Sequence, residues 1–182
     1  MAGEVCPWWM AYTFDNWFRR LLFKPEAMFG PYVKPGMMVM DIGCGMGFNA
    51  IGLARMVGDG GRVIAVDLQQ KMLDVLQKRA RRAGVADRIR THKCDADSIG
   101  IDDTVAFAVA FWVVHEVPDA AHLLQEVHSC LSPGGHFLVT EPRFHVSDEA
   151  LRETIALAED VGLKACDEPG IRFSKSVVFR KA

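Results

Sequence analysis

The chain of 182 residues has no long unbroken apolar run, no paired cysteines and almost no net charge. Each absence removes a class of protein. Without about 18 consecutive apolar residues there is no candidate for a membrane-spanning helix. The five cysteines, Cys6, Cys44, Cys94, Cys130 and Cys166, are odd in number and widely spaced, with no CxxC pair and no secretory leader ahead of them. They read as the free thiols of a reduced, cytoplasmic chain and not as a disulfide framework. A formal charge of −2 does not build the positive field that nucleic acids or acidic lipids require, so neither is an expected partner. Internal repeats and low-complexity tracts are also missing. What is left is room for one well-buried core, and a single domain over residues 1–182 is expected.

From residue 37 onward the sequence alternates between two patterns. Short runs that are apolar on consecutive positions, MMVMDIG, RVIAVDL, RIRTHKC, TVAFAVAFW, HFLVTEP and KSVVFRK, suit strands covered on both faces. Between them lie helical periods. Met72, Leu73, Leu76 and Ala80 share one face, and Leu123, Leu124, Val127 and Leu131 share another behind the capping candidate Asp119. A further helix begins after Ser147 with Asp148 and Glu149 in its first turn, and turns Leu151, Ile155 and Ala158 inward until Gly162. The last apolar runs, GLKAC and SVVFR, are joined by a loop containing Pro169 and Gly170, which predicts a hairpin with one antiparallel strand at the end of a parallel sheet. The fold class is therefore α/β, a doubly wound and mostly parallel sheet.

The strongest chemical signal is MDIGCGMGFNA, residues 40–50, which follows the first apolar strand and runs into a helix carrying Ile51, Leu53, Ala54 and Val57. Gly43, Gly45 and Gly47 let the backbone turn sharply and come close to a ligand at the start of that helix. Asp67 ends the second strand, where its carboxylate can accept both hydroxyls of a ribose. A dinucleotide fingerprint would need a small residue at position 48, and Phe48 stands there. Asp41 would repel a pyrophosphate but accept a hydrogen bond from an ammonium group. The expected ligand carries adenosine and an amino group without phosphates.

These residues resemble the class I S-adenosylmethionine-dependent methyltransferases, through VMDIGCGMGFNA, VIAVDLQQKML, KCDAD, AFWVVHEVPD and LSPGGHFLVTEP. The resemblance runs from residue 37 to about 142 and is nearest to the small single-domain enzymes similar to quinone-biosynthesis methyltransferases. It implies a Rossmann-like sheet of seven strands and S-adenosyl-L-methionine as cofactor, leaving S-adenosyl-L-homocysteine. It places the cofactor on Asp41, Gly43, Cys44, Gly45, Gly47, Phe48 and Asn49 of the glycine loop. Asp67 then holds the ribose and Leu68 packs on adenine, with Met72 nearby. Asp95 faces the adenine amino group beside Ala96, and the backbone near Phe111 meets the methionine end. Ala106 departs from the pattern, because many members carry an Asp there.

Methyl transfer asks a protein mainly to align the nucleophile and shape the surrounding electrostatics; a base is needed only when the acceptor arrives protonated. His115 and Glu116, past the fourth strand, and Glu141, after the fifth, are the candidates. His145 is a candidate for the substrate pocket. Each also has an ordinary reading as a loop or turn residue. His92, Cys94 and Asp95 lack a second pair to complete a metal site, and no metal is expected. KRARR, residues 78–82, reads as the solvated face of an amphipathic helix.

Nine of the seventeen aromatic residues fall within the first 32. Asp15 can cap a short helix bearing Trp17, Phe18, Leu21 and Leu22, and Pro25 opens a second helical turn. Residues 1–32 are read as an aromatic helical lid, with Trp8, Trp9 and Tyr12 walling a pocket for a small, flat or apolar acceptor. Two rival classes remain: a module that binds the adenosyl ligand without turnover, and a nicotinamide-dependent oxidoreductase that Phe48 and Asp41 disfavour.

Overall fold

The computed structural model describes residues 23–182. Trp8, Trp9, Tyr12 and the helix expected after Asp15 lie outside the described residues. Those described fall into two compact units, residues 23–94 and 95–182.

The first unit opens with the short helix α1 (Pro25–Phe29), which has proline at its first position, where the missing N–H costs nothing. Strand β1 (Met38–Ile42) leads through the glycine loop into α2 (Phe48–Val57), followed by β2 (Arg62–Asp67), α3 (Gln70–Arg82) and β3 (Ile89–Lys93). β1 pairs in parallel with β2, Met38 against Arg62, and β2 with β3, Val63 against Ile89. Val39, Val63, Ala65 and Val66 are fully buried, so β1 and β2 are covered on both faces, as their apolar runs require; β3, an edge strand, is buried only at Ile89 and is half-buried or exposed from Arg90 to Lys93, against the expectation for RIRTHKC. Met72, Leu73, Leu76 and Ala80 form the buried face of α3. The basic residues of KRARR fall on its half-buried and exposed positions.

The second unit contains β4 (Val105–Phe111), a 3₁₀ turn (Val114–Glu116), α4 (Ala120–Cys130), β5 (Leu131–Pro142), α5 (Asp148–Asp160), β6 (Leu163–Asp167) and β7 (Ser174–Lys181). β4 and β5 are parallel, while β7 runs antiparallel to both β5 and β6. The strand order is β3-β2-β1-β4-β5-β7-β6, seven strands in all, a mostly parallel α/β sheet with its antiparallel hairpin at the C-terminus. The expected hairpin is present, but its return strand β7 inserts beside β5 and leaves β6 at the edge. The antiparallel strand is therefore not the terminal one.

Two caps formed as the side chains allow. The His122 backbone N–H donates to Asp119 Oδ1 at 2.9 Å, and the Ala150 N–H donates to Ser147 Oγ at 3.1 Å. Asp119→Ala is expected to cost about 1 kcal/mol. Unfolding followed by circular dichroism should then show a melting temperature lower by about 2–4 °C for a chain of this size.

One helical assignment needs correction. Leu131 begins β5 and does not close the face of α4, which ends on Cys130. Pro133 disfavours helical geometry at Ser132, so the apolar position four residues after Val127 passes to the strand. β5 consequently starts earlier than HFLVTEP, with a register shift in its pairing between Val105 and Phe107. In α5, Ala158 is fully buried, whereas Leu151 and Ile155 are only half covered.

Candidate functional site

In the first unit two hydrogen bonds tie the glycine loop to the end of β2, and a third closes the turn after that strand. The Cys44 N–H donates to the Val66 carbonyl at 2.9 Å. The Gly45 N–H donates to Asp67 Oδ2 at 2.8 Å, and the Gln69 N–H donates to Asp67 Oδ1 at 2.8 Å. A single carboxylate thus clasps the loop after β1 and the turn after β2. Asp67 is only 8% exposed, and burial pushes its carboxyl above the ordinary value while the two amide donors pull it back down. Each of its oxygens accepts one amide and keeps capacity for one more donor, two in total.

The loop glycines differ in what surrounds them. Gly45 adopts φ +52°, and among the described residues nothing lies within 4 Å of where a Cβ would be. Gly47 adopts φ +87° as the residue before α2, and a Cβ there would stand 2.6 Å from Leu76 Cγ. One glycine therefore leaves open space over the loop; the other permits helix α3 to pack against it. Gly43 is left-handed as well, at φ +64°. Asp41 and Asn49 are both buried, and Asn49 Oδ1 has no hydrogen-bond partner among the described residues. Cys44 is buried too, and desolvation together with the negative charges of Asp41 and Asp67 pushes its thiol well above the usual range, so it is not a nucleophile at neutral pH. Leu68 is half-buried and Met72 is in the core.

A cavity of about 200 Å³ opens in the same unit, lined by Pro25, Phe48, Ile51, Arg55 and Arg79 among others. Neither Gly45 nor Asp67 lines it. It lies beside the loop without sharing the acid that gives the loop its chemistry.

The second unit places Asp95 and Ala96 on an exposed loop, with the Asp95 N–H donating to the Ser98 carbonyl at 3.1 Å. Phe111 is buried at the end of β4. The residue after it, Trp112, is left-handed at φ +63°, rare for a bulky side chain and costly by about 1–2 kcal/mol. Its N–H donates to the Thr140 carbonyl at 2.7 Å and its indole Nε1–H to Ser174 Oγ at 3.0 Å. These bonds hold the strained turn that carries the chain from β4 to His115. Sequence reasoning missed Trp112 and Ser174, since nothing in their residue types announces a left-handed backbone or a contact across 62 positions.

The candidates His115 and Glu141 come together. Glu141 is the penultimate residue of β5, within the strand and not after it, and its side chain is 3% exposed. Oε1 accepts from the His115 backbone N–H at 3.2 Å, and Oε2 lies 2.5 Å from His115 Nδ1. Glu116 Oε1 is 4.0 Å from His115 Nε2, beyond hydrogen-bonding reach, and the His145 ring is centred 5.4 Å from the His115 ring. The hydrogen bond to Glu141, against partial burial, raises the His115 pKa, and the nearby Glu116 adds to the rise. His92, Cys94 and Asp95 do not assemble; among the described residues no three His, Cys, Asp or Glu side chains form a metal-holding group.

A family model described as a methyltransferase domain matches residues 39–135. The chain belongs to the methyltransferase domain family. The glycine loop, the Asp67 clasp and the turn bearing His115 all lie inside the matched stretch of this methyltransferase domain. A demethylmenaquinone methyltransferase of Lactobacillus johnsonii is 34% identical over 133 residues, 70% of this chain and 50% of that relative. A 2-phytyl-1,4-naphtoquinone methyltransferase of Synechococcus elongatus is 33% identical over 121 residues, 66% of this chain and 52% of its own. The domain thus spans about half the length of the curated relatives it matches. A crystal structure of a SAM-dependent methyltransferase from Aquifex aeolicus superimposes with a TM-score of 0.87 over 98% of this chain and all of that one, at 23% identity. That likeness establishes the fold.

Proposed function

We propose that this methyltransferase domain is an enzyme that uses S-adenosylmethionine to methylate a small, flat acceptor. The observation that carries the proposal is the Asp67 clasp. The carboxylate holds both loops by backbone amides at 2.8 Å and retains two acceptor positions, the number a ribose diol needs. The rest of the loop fits the same cofactor. Open space over Gly45 admits a ligand to the backbone, and the buried, unsatisfied Asn49 Oδ1 suits a ligand donor, since leaving it unpaired costs free energy. Asp41, 1% exposed at the end of β1, favours an amino group over a phosphate.

When bound, the cofactor supplies a methyl group on a positively charged sulfur. The protein's part is to hold the ribose by Asp67, to keep water out and to present the acceptor. Both relatives are named for quinones, and a quinone-type ring is accordingly the first acceptor class to test. Trp8, Trp9 and Tyr12 belong to this reading as the expected wall for such a ring, whereas Phe23 and Phe29 are core residues. A cytoplasmic location belongs to it too. No helix among the described residues is long and apolar enough to cross a membrane.

Calorimetric titration with S-adenosylhomocysteine and, separately, NAD tests the cofactor assignment. The expected result is saturable binding of the former alone. Binding of NAD alone would move the protein to the oxidoreductase reading. Transfer of an isotopically labelled methyl group to a reduced naphthoquinone then separates turnover from mere binding.

A further inference from the structure

His115 and Glu141 set an imidazole against a buried carboxylate. His122 approaches Glu126 at 3.8 Å, but on an open helix face with the histidine 51% exposed. Glu126 is itself engaged, accepting from Ser98 Oγ at 2.6 Å and from the Ile99 N–H at 2.9 Å. His128 and His136 are shifted toward the neutral form by burial and by neighbouring Lys181 and Arg180, the reverse of His115. The thiols of Cys44, Cys130 and Cys166 are all raised by desolvation, which removes them as nucleophiles near neutral pH.

Among the described residues the Glu141 carboxylate hydrogen-bonds to His115 alone, and it is too buried to meet an acceptor itself. Its two oxygens grip one residue at two points, the backbone N–H and ring Nδ1. That grip fixes the tautomer. A carboxylate accepts only, so Nδ1 carries the proton and the lone pair is left on Nε2. Among the described residues no hydrogen bond engages Nε2. The preceding turn is held in place by the strained Trp112, which spends two hydrogen bonds on β5 and β7 residues. A strained, tethered turn presenting an oriented imidazole with one uncommitted nitrogen is the arrangement that general-base chemistry needs.

We propose that His115 Nε2 is the general base of this domain, with Glu141 as its positioning residue, and that the acceptor carries an acidic hydrogen on a phenol, an enol or an activated ring carbon. The inference rests on the methyl-transfer reading above and narrows its acceptor class. Acceptors that need no deprotonation, such as thioethers or tertiary amines, would not require this pair. In the step, the acceptor's O–H or C–H bond breaks, its electron pair stays on that atom, and the proton bonds to Nε2. The resulting imidazolium is held by the Glu141 carboxylate, with Glu116 the further negative group facing it at 4.0 Å and the His145 ring packed alongside. Water later takes the proton, so one proton leaves for each methyl gained. The upward shift of the His115 pKa suits this task, since it makes the imidazole a stronger base.

The test uses 4-nitrophenol as a probe, because its phenolate absorbs in the visible and its ionisation on the protein can be read directly. The whole chain, with and without S-adenosylhomocysteine, is titrated with the probe at a series of pH values. In the wild type the bound probe should remain phenolate at a proton concentration at least about tenfold higher than in buffer, because a neighbouring cation favours the anion. His115→Gln should abolish the shift, and Glu141→Gln should reduce it; should Glu141→Gln fail to fold, Glu141→Asp serves. Long-range proton–nitrogen NMR of the ring should show Nδ1 protonated and Nε2 bare in the wild type, with the His115 titration moving to lower pH in the Glu141 variant. A bound probe that titrates as in buffer, a probe that does not bind, a His115→Gln protein that behaves as wild type, or a proton found on Nε2 of the neutral ring each overturns the inference. The cofactor reading fails separately. Loss of S-adenosylhomocysteine binding with the phenolate shift intact removes the cofactor and leaves the base, whereas normal binding with no shift removes the base and leaves the cofactor.

Discussion

Asp67→Ala is expected to weaken S-adenosylhomocysteine binding by about 10²- to 10⁴-fold, the result of losing two hydrogen bonds to a charged acceptor at about 1.5–3 kcal/mol each. The same change orphans the Gly45 and Gln69 N–H groups that the carboxylate accepts from in the free protein. Two effects are therefore combined: the ribose loses its partner, and the loop loses the clasp that shapes it. Asp67→Asn separates them poorly, because its amide nitrogen would present a donor to one of the two backbone donors. The informative comparison is calorimetry at a temperature where the melting curve shows the Ala variant folded. A folded variant that binds as tightly as wild type would remove Asp67 from the cofactor site and, with it, the observation on which the proposed function stands.

How much of this was legible beforehand depended on distance along the chain. The glycine loop and Asp67 could be read together because a β-α-β unit fixes their spacing locally, and the tie between Gly45 and Asp67 spans only 22 residues. The buried face of α3 and the caps at Asp119 and Ser147 were readable for the same reason: period and cap chemistry act within a few residues. His115 and Glu141 were each visible as candidates, yet their pairing was not. It follows from the register of β4 against β5, Phe111 opposite Thr140, which puts the turn after β4 beside the residue after Thr140. Register is read from alternation between a buried and an open face, and these two strands are buried on consecutive positions, so their apolar runs offer no such alternation. Glu141 could equally have been an exposed acid, and Pro142 after it suggested a turn; the strand instead runs through Pro142 and buries the carboxylate. Leu131 failed differently. It satisfies the helical period after Val127, and only the proline two residues later argues for the strand.

Gly45→Ala and Gly47→Ala, two residues apart in one loop, are expected to fail in opposite ways. At Gly47 a side chain meets both of the penalties available. Its φ of +87° is left-handed, which costs an L-residue about 1–2 kcal/mol. The new Cβ would sit 2.6 Å from Cγ of Leu76, which is fully buried in the face of α3, and overpacking of that kind costs about 1–3 kcal/mol. Together they predict a loss of about 2–5 kcal/mol and a melting temperature lower by about 4–20 °C for a chain of this length. At Gly45 the φ of +52° lies near the ordinary left-handed minimum, and nothing among the described residues stands within 4 Å of the added carbon. The fold should lose only about 1 kcal/mol there, while the methyl group occupies the space through which a ligand reaches the loop backbone. Melting curves and calorimetric titrations with S-adenosylhomocysteine on the two variants should therefore cross: Gly47→Ala unstable but competent to bind when cold enough to fold, Gly45→Ala stable but weakened in binding. If Gly45→Ala binds as wild type, the open space over that residue is not where the cofactor lies, and the Asp67 carboxylate would have to meet the ribose from another side.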